Sequence, residues 1–186
     1  TGAGKSTLLN ALIGEYELLP TNGMRACTAV IIELSYNDTK HGPKYEGAVE
    51  FVSLQEWEME LQDLLSDLTT QEGRAILYVS EDAHNYDSWC KLYAVYGDSF
   101  TNSSIDTGEI ANGRKVYKAM MVDDLKEKLK RIRTVTHKLG TIECVVANEA
   151  RDFRRKLERY MDSANEVNYG QYWPLVKRCK VLGRWD

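Results

Sequence analysis

The sequence predicts an α/β fold, in which helices and strands alternate along a chain of 186 residues. Three observations support this class. A glycine-rich turn, T-G-A-G-K-S-T, runs directly into a helical pattern at the start of the chain. An apolar, β-branched run at residues 28–34, T-A-V-I-I-E-L, is typical of a buried strand. Amphipathic helical patterns then alternate with short strand patterns, which favours the α/β class over an all-helical one.

Elements of the first half follow from periodicity and turn residues. Leu8, Leu9 and Leu12 form an apolar stripe at helical spacing, and Gly14 is the expected stop. The segments predicted here are a helix over 5–12, a strand over 28–34, a strand over 48–52 and a helix over about 53–68.

The second half is predicted to be mostly helical. A loop is expected at residues 98–113, because Ser, Thr, Asn, Asp and Gly are frequent there. The other predicted segments are a helix over 83–96, a long amphipathic helix over 116–139, a strand over 142–146, a helix that begins near Asn148 and a strand within 172–182.

Composition restricts the class of protein. Hydrophobic residues make up 43% of the chain and charged residues 28%, which is the ordinary globular range. The formal net charge of −4 argues against binding nucleic acid over the whole surface. The four cysteines stand apart without a C-x-x-C pair. We therefore expect neither a disulfide framework nor a zinc site, and we expect an intracellular location, in the cytoplasm or the nucleus.

The glycine-rich turn is the end of a P-loop pattern, G-x-x-x-x-G-K-[ST], with Gly4, Lys5 and Ser6 as its last three positions. In such a loop, backbone N–H groups and a helix N-terminus surround a polyphosphate. Lys5 would reach the β- and γ-phosphates, and the Ser6 hydroxyl would ligate Mg²⁺. The predicted nucleotide-binding residues are Gly2, Ala3, Gly4, Lys5, Ser6 and Thr7.

Thr28 is a candidate for a second Mg²⁺ and γ-phosphate contact. It follows Lys5 by 23 residues and comes just before the predicted strand over 28–34. A loop threonine at this place can order its segment around a triphosphate, as switch I does in GTPases. The alternative is that Thr28 is only the first residue of a strand, where threonine is common. Spacing alone leaves both interpretations open.

Several segments resemble the dynamin superfamily of large GTPases, and within it the fungal dynamin-like P-loop proteins and a related nuclear GTPase. They are G-A-G-K-S-T-L-L-N-A-L-I-G-E, the following L-L-P-T and A-C-T-A-V, and Y-W-P-L-V-K at residues 172–177. The resemblance implies GTP and Mg²⁺ as ligands, with Lys5 and Ser6 as phosphate and Mg²⁺ residues and Thr28 as the catalytic switch I threonine. It also implies self-association through the GTPase domain. Gly2 departs from dynamin, which has a serine implicated in catalysis there.

The resemblance also implies how the chain is organised. Residues 1–37 would hold the P-loop and switch I, about 53–163 a mostly helical insertion, and 172–182 a strand leading to a missing Walker B strand. Neither an Asp-x-x-Gly motif nor an Asn/Thr-Lys-x-Asp motif follows Thr28 in this sequence. We therefore expect a fragment of a dynamin-type GTPase domain that folds poorly alone and does not hydrolyse GTP alone.

Two other functions stay open from the sequence. The P-loop also suits an ATP-binding protein of another class, such as an ABC-type ATPase, or a non-catalytic relic that serves as an interaction module. Residues 114–138 carry nine Lys or Arg against three Asp or Glu. This excess is compatible with an anionic membrane or a nucleic acid as partner, and equally with a solvated surface.

Overall fold

A computed structural model describes residues 4–16, 18–19, 30–161 and 170–185. The elements in chain order are α1 (Lys5–Leu12), β1 (Ile31–Tyr36), β2 (Tyr45–Phe51), α2 (Leu54–Asp67), α3 (Tyr86–Tyr96), α4 (Asp98–Thr101), β3 (Ser104–Ala111), β4 (Arg114–Ala119), α5 (Val122–Lys130), α6 (Arg133–Thr136), β5 (Ile142–Ala147), α7 (Ala150–Met161), a 3₁₀ turn (Trp173–Leu175) and β6 (Val176–Gly183). Within the described ranges, no helix is long and apolar enough to cross a membrane.

The chain forms two compact units. Unit 1 consists of Thr1–Ser53, Lys138–Glu166 and Gln171–Asp186, and unit 2 of Leu54–His137 and Val167–Gly170. Unit 1 holds a mixed sheet in the order β1-β6-β2-β5. Strand β6 runs parallel to β1 and antiparallel to β2, and β2 runs antiparallel to β5. Unit 2 holds the helices α2 to α6 and the two-stranded ribbon β3-β4.

The core of unit 1 lies between its sheet and α7. Strand β2 buries every second residue from Tyr45 to Phe51, as a strand with one covered face does. Phe153 and Leu157 of α7 are fully buried. A Cβ added at Gly47 would lie 3.1 Å from the Phe153 ring, so a glycine lets α7 approach the sheet closely here.

Lys138, the first residue of unit 1 after unit 2, is enclosed by aromatic rings. Its Nζ lies 4.5 Å from the ring centroid of Tyr172, 5.3 Å from that of Phe51 and 5.9 Å from that of Tyr160. It also binds the Glu143 carboxylate, which accepts a hydrogen bond from the Tyr160 hydroxyl at 2.6 Å. Burial and the hydrogen bond to Glu143 raise the pKa of Tyr160 to about 12. The rings and the carboxylate together stabilise the ammonium group.

Backbone hydrogen bonds beside Lys138 join the segment that leaves unit 1 to the segment that returns. The Gly140 N–H donates to the Val52 carbonyl at 2.8 Å, and the Phe51 N–H donates to the Thr141 carbonyl at 3.0 Å. The Val52 N–H in turn donates to the Leu175 carbonyl at 2.8 Å. Lys138 therefore lies where three segments of unit 1 meet.

The core of unit 2 is formed by leucines of α2, α3 and α5 and contains a buried pair of polar side chains. Leu61, Leu92 and Leu125 are fully buried. The Trp57 indole N–H donates to the Tyr96 hydroxyl at 2.9 Å. Burial raises the pKa of Tyr96 to about 12, so this hydroxyl stays neutral and polar inside the helical core.

Most predicted elements are confirmed within a few residues. The predicted helices over 5–12, 53–68 and 83–96 correspond to α1, α2 and α3. The predicted strands over 48–52 and 142–146 correspond to β2 and β5, and the strand within 172–182 corresponds to the 3₁₀ turn followed by β6. Of the predicted strand over 28–34, residues 31–34 belong to β1. The helix expected near Asn148 is α7 and begins at Ala150.

Two predictions in unit 2 are wrong. Residues 98–113 are not a loop, because they contain α4 and β3, and residues 116–119 are not helical, because they belong to β4. Asn112 and Gly113 both have positive φ, 51° and 75°, as in the tight turn that joins two strands. The Asn-Gly pair was therefore the available signal for a hairpin. Farther on, an extended backbone at Ile132 divides the predicted long helix into α5 and α6.

The predicted apolar stripe of α1 is not buried among the described residues. The exposed fractions of Leu8, Leu9 and Leu12 are 62%, 37% and 72%. The one buried residue of α1 is the polar Asn10. Polar contacts rather than this stripe therefore attach α1 to the described part of unit 1.

We expect Tyr96→Phe to destabilise unit 2 by about 1–3 kcal/mol, because the Trp57 N–H would remain buried without an acceptor. Urea unfolding of the full-length protein, followed by tryptophan fluorescence, measures the change in free energy. Tyr78→Phe is the matched control, since Tyr78 is 68% exposed and should change little. Equal effects of the two substitutions would contradict the prediction.

We expect Lys138→Met to weaken the junction of the three segments by about 1–2 kcal/mol, because it removes the cation–π contacts and the ion pair while keeping most of the volume. Amide exchange at Gly140 in the full-length protein should accelerate roughly 5- to 30-fold. Lys40→Met serves as the control, since Lys40 is exposed. Unchanged exchange at Gly140 would show that the rings do not stabilise the ammonium group.

Candidate functional site

Four predicted binding residues, Gly4, Lys5, Ser6 and Thr7, lie together at the N-terminal end of α1. Gly4 precedes the helix with φ 71° and ψ 14°, a left-handed conformation that favours glycine. The first bond of the helix runs from the Leu8 N–H to the Gly4 carbonyl at 2.9 Å. The N–H groups of the first turn have no acceptor within the helix, and they point along its axis toward the chain that precedes it.

Electrostatics at this end of α1 favour an anion. The first turn carries no acidic residue, the Lys5 side chain is exposed, and the helix dipole places positive partial charge at the N-terminus. A Cβ built on Gly4 would meet no other described atom within 4 Å. Backbone N–H groups and a lysine in this arrangement fit a phosphate group.

The residues present also fit Mg²⁺ held jointly with a phosphate. The Ser6 hydroxyl is a hard oxygen donor of the kind that Mg²⁺ prefers. In the part of the chain that the structure describes, no group of three or more His, Cys, Asp or Glu could hold a metal ion. Among the described residues, Ser6 is therefore the one that would hold a Mg²⁺ ion here, together with phosphate oxygens and water.

Three predicted site residues, Gly2, Ala3 and Thr28, lie outside the described residues. Their roles in phosphate and Mg²⁺ binding stay predictions.

Glu15 anchors the chain just after α1 to the sheet. Its carboxylate binds the Lys44 ammonium at 2.8 Å and accepts a hydrogen bond from the Tyr45 hydroxyl. Its N–H donates to the Asn10 carbonyl at 2.9 Å. Burial alone would raise the pKa of Glu15, but the hydrogen bonds from Lys44 and Tyr45 and the charge of Lys44 outweigh burial and hold the pKa below the usual range.

Asn10 holds a second segment against α1. Its Nδ2 donates to the Leu19 carbonyl at 3.0 Å, and its Oδ1 accepts from the Leu19 N–H at 2.9 Å. Leu18 and Leu19 are fully buried. Sequence reasoning did not single out Asn10 or Glu15. The available signal for Asn10 was an asparagine inside an apolar helical pattern. Asparagine is a poor helix former, so its presence there indicates a specific contact.

A cleft of about 830 Å³ lies along α7. Its described lining balances three arginines against three acids, Glu149, Arg151, Asp152, Arg154, Arg155 and Glu158. Asp152 already pairs with Arg155 at 2.8 Å and with Lys156 at 2.7 Å. This balance gives the cleft no clear preference for an anion.

Most cations of the basic segment 114–138 contact partners of their own. Lys115 pairs with Asp106 at 2.8 Å, and Lys130 pairs with Glu58 at 2.9 Å. Further contacts link Lys126 to Gln62, Lys128 to Ser103 and Lys138 to Glu143. Much of the positive charge in this segment is therefore engaged in ion pairs and hydrogen bonds within the protein.

Comparisons with known proteins agree with the geometry at the start of α1. The model of the family described as "Dynamin family" matches residues 1–93, half of the chain. The Nuclear GTPase SLIP-GC of Mus musculus is 30% identical over 191 residues, which cover 98% of this chain and 21% of that protein. The protein of the same name from Homo sapiens is 29% identical over 192 residues, which cover 97% and 21%. No solved structure gives a significant match.

The match to this family model, together with the glycine-rich sequence before α1, defines the class of protein as one with a P-loop GTPase fold. The described part of the chain is mixed α/β and contains a mixed sheet. The chain belongs to the dynamin family. It spans about a fifth of the length of the curated relatives, at 21% of each.

We expect Glu15→Gln to loosen the C-terminal end of α1 by about 1–2 kcal/mol at pH 7, because charged hydrogen bonds are replaced by neutral ones. The pKa of Glu15 is lowered in the folded protein from its ordinary value of 4.5. Its contribution is therefore present above that value and is lost as the pH falls through the folded-state pKa.

Amide exchange at Ile13, whose N–H donates to the Leu9 carbonyl, tests this in the full-length protein. Wild type and Glu15→Gln should differ at pH 7 and converge as Glu15 becomes protonated. Glu149→Gln is the control, since Glu149 is an exposed acid of the same unit. A difference of the same size at both extremes of pH would contradict the prediction.

Proposed function

We propose that this chain is part of the GTPase domain of a dynamin-like large GTPase, which binds GTP with Mg²⁺ and, in the full-length protein, hydrolyses it. The observation that supports this best is the start of α1. There, a left-handed Gly4, an exposed Lys5 and the Ser6 hydroxyl adjoin a helix N-terminus free of acidic side chains. Membership of the dynamin family supports guanine as the base.

Catalysis in this proposal is positioning and charge stabilisation. Lys5 and the N–H groups of the first turn of α1 hold the β- and γ-phosphates. Ser6 and Thr28 would hold Mg²⁺, and a bound Mg²⁺ would supply neutralisation of the negative charge on the γ-phosphate. Gly2, Ala3, Gly4 and Thr7 contribute the rest of the phosphate loop. Since Gly2 offers no side chain at the position of the dynamin serine, another group must orient the attacking water.

We also propose that residues from about 53 to 163 form the mostly helical insertion of the GTPase domain, and Leu54–His137, the main segment of unit 2, lies within it. It would follow the P-loop and switch I region of residues 1–37. Strand β6 would then lead to the Walker B strand with its Asp-x-x-Gly motif. Self-association through the GTPase domain and a nuclear location belong to the same proposal, the latter because both relatives are named nuclear GTPases.

We expect Lys5→Ala to weaken GTP binding by the full-length protein roughly 10- to 100-fold, because a hydrogen bond to a charged group contributes about 1.5–3 kcal/mol. Titration with a fluorescent GTP analogue in the presence of Mg²⁺ measures the affinity. Lys40→Ala, an exposed lysine of the same unit, should bind as the wild type does.

A parallel titration with the ATP analogue separates the alternatives. Preference for the ATP analogue would replace the GTPase proposal by an ATP-binding P-loop protein of another class. If the wild type binds neither nucleotide, the proposal fails, and the chain is better explained as an interaction module with a non-catalytic P-loop.

A further inference from the structure

We propose that Asn112 is a site of spontaneous deamidation, at which the protein loses a side-chain amide and gains a carboxylate. The inference goes beyond the proposed function and does not depend on it. Asn112 and Gly113 join β3 to β4, and the residues that flank them, Ala111 and Arg114, pair with each other. The connection between the strands therefore consists of Asn112 and Gly113 alone.

The ribbon β3-β4 is exposed on both of its faces. Thr107 is the half-buried residue of β3, and Val116 and Ala119 are those of β4, while the other residues of both strands are exposed. The two turn residues are exposed as well. A two-stranded ribbon gains little stability when neither face is covered. The turn can therefore open locally while the helical core of unit 2 stays folded.

Few cross-strand pairs hold the tip of the ribbon. The register shifts between Asp106 and Ile110, so the regular pairs beyond the shift are Ile110 with Lys115 and Ala111 with Arg114. Separation of these two pairs frees the turn without disturbing the pairs at the base of the ribbon. Opening of the tip is therefore a smaller event than unfolding of the whole ribbon.

The Asn-Gly sequence supplies both reacting groups. The nucleophile is the main-chain nitrogen of Gly113, and the electrophile is the side-chain carbon Cγ of Asn112. Glycine has no Cβ that would hinder the approach. In the part of the chain that the structure describes, the Gly113 N–H donates to no acceptor. Positive φ at both residues, 51° and 75°, fixes the peptide group between them in a tight turn, so the reaction follows opening of the tip.

The reaction has two steps and needs only water as a co-reactant. In the first step, a bond forms between the Gly113 nitrogen and Cγ of Asn112, the bond from Cγ to Nδ2 breaks, and Nδ2 leaves as ammonia with the proton of the Gly113 nitrogen. The product is a cyclic succinimide. In the second step, water adds to either carbonyl carbon of the ring and breaks its bond to nitrogen. Opening at Cγ gives aspartate, and opening at the main-chain carbonyl gives isoaspartate, in which the main chain runs through the former side chain.

Deamidation changes both the charge and the backbone of the ribbon. Its strands carry three cations and two acids, Arg114, Lys115, Lys118, Asp106 and Glu109, so one new carboxylate removes the positive excess. Isoaspartate also adds one carbon to the main chain between the strands. A longer connection no longer fits the two-residue turn that sets the pairing of Ala111 with Arg114. We therefore expect the isoaspartyl form to lose the ordered tip and the aspartyl form to keep it.

Incubation of the full-length protein at mildly alkaline pH, in water enriched in oxygen-18, tests the proposal. A protease that cleaves after glutamate separates Asn112 from Asn102 at Glu109. By mass spectrometry, the Asn112 peptide should exchange an amide for a carboxyl group that carries one heavy oxygen, and isoaspartyl methyltransferase should label it. We expect it to react roughly tenfold faster than the peptide with Asn102, an exposed asparagine of the same unit, because the side chain of Ser103 hinders attack there.

Two variants separate the effects of charge and backbone. Asn112→Gly keeps a two-residue turn that favours positive φ and has no amide to lose, so amide exchange within β4 should stay constant during incubation. Asn112→Asp carries the new charge on an ordinary backbone and should keep slow exchange within β4, since aspartate also suits this turn. In the isoaspartyl fraction of the incubated wild type, exchange within β4 should accelerate roughly tenfold.

The outcomes decide the proposal. Preferential reaction at Asn112 with isoaspartate among the products supports it. Uptake of heavy oxygen at Asn112 that is no faster than at Asn102 overturns it. If exchange within β4 rises equally in incubated Asn112→Gly, isoaspartate is not the cause of the lost order, and the structural consequence is overturned. Each of these measurements is independent of nucleotide binding, so the proposed GTPase function stands or fails separately.

Discussion

The pairing of β6 with both β1 and β2 is the constraint on which unit 1 depends. Strands β1 and β2 are close neighbours in the sequence, yet β6 lies between them in the sheet. Arg178 of β6 reaches a carboxylate on each side, Glu50 at 2.6 Å and Glu33 at 3.3 Å, while Cys179 is fully buried. The described four-stranded order therefore forms only after the chain has passed through unit 2 and returned. Such distant pairings are slow to form, because the long loop must close before they contribute.

This topology gives a structural reason for the many contacts at the junction beside Lys138. The segment leaving unit 1 after Phe51 and the segment returning before Thr141 are joined by backbone hydrogen bonds. Lys138 adds a charge enclosed by three rings and a carboxylate. A returning chain held at this point is directed toward β5 and α7, and then toward the position of β6 between its neighbours.

Polar contacts also determine how α1 is held. In the described structure, Asn10 and Glu15 attach the helix, whereas the leucines of its predicted apolar stripe are exposed. The phosphate-binding end was predictable from sequence, because Gly4, Lys5 and Ser6 are adjacent and their spacing is local. The attachments were not, because Asn10 meets Leu19 and Glu15 meets Lys44 only after the chain has folded. In unit 2 the prediction of a long helix failed where an Asn-Gly turn and pairing with β3 outweighed helical periodicity at Val116 and Tyr117.

The sequence by itself determined the class of fold, most of the helices and strands, and the likeness to the dynamin family, since each of these depends on residues close together in the chain. Only the tertiary structure decided the strand order, the place of Lys138 among Phe51, Tyr160 and Tyr172, and the pairing of Asn10 with Leu19. Strand order and side-chain pairing depend on segments brought together by burial and hydrogen bonding, and no local pattern records which segments meet.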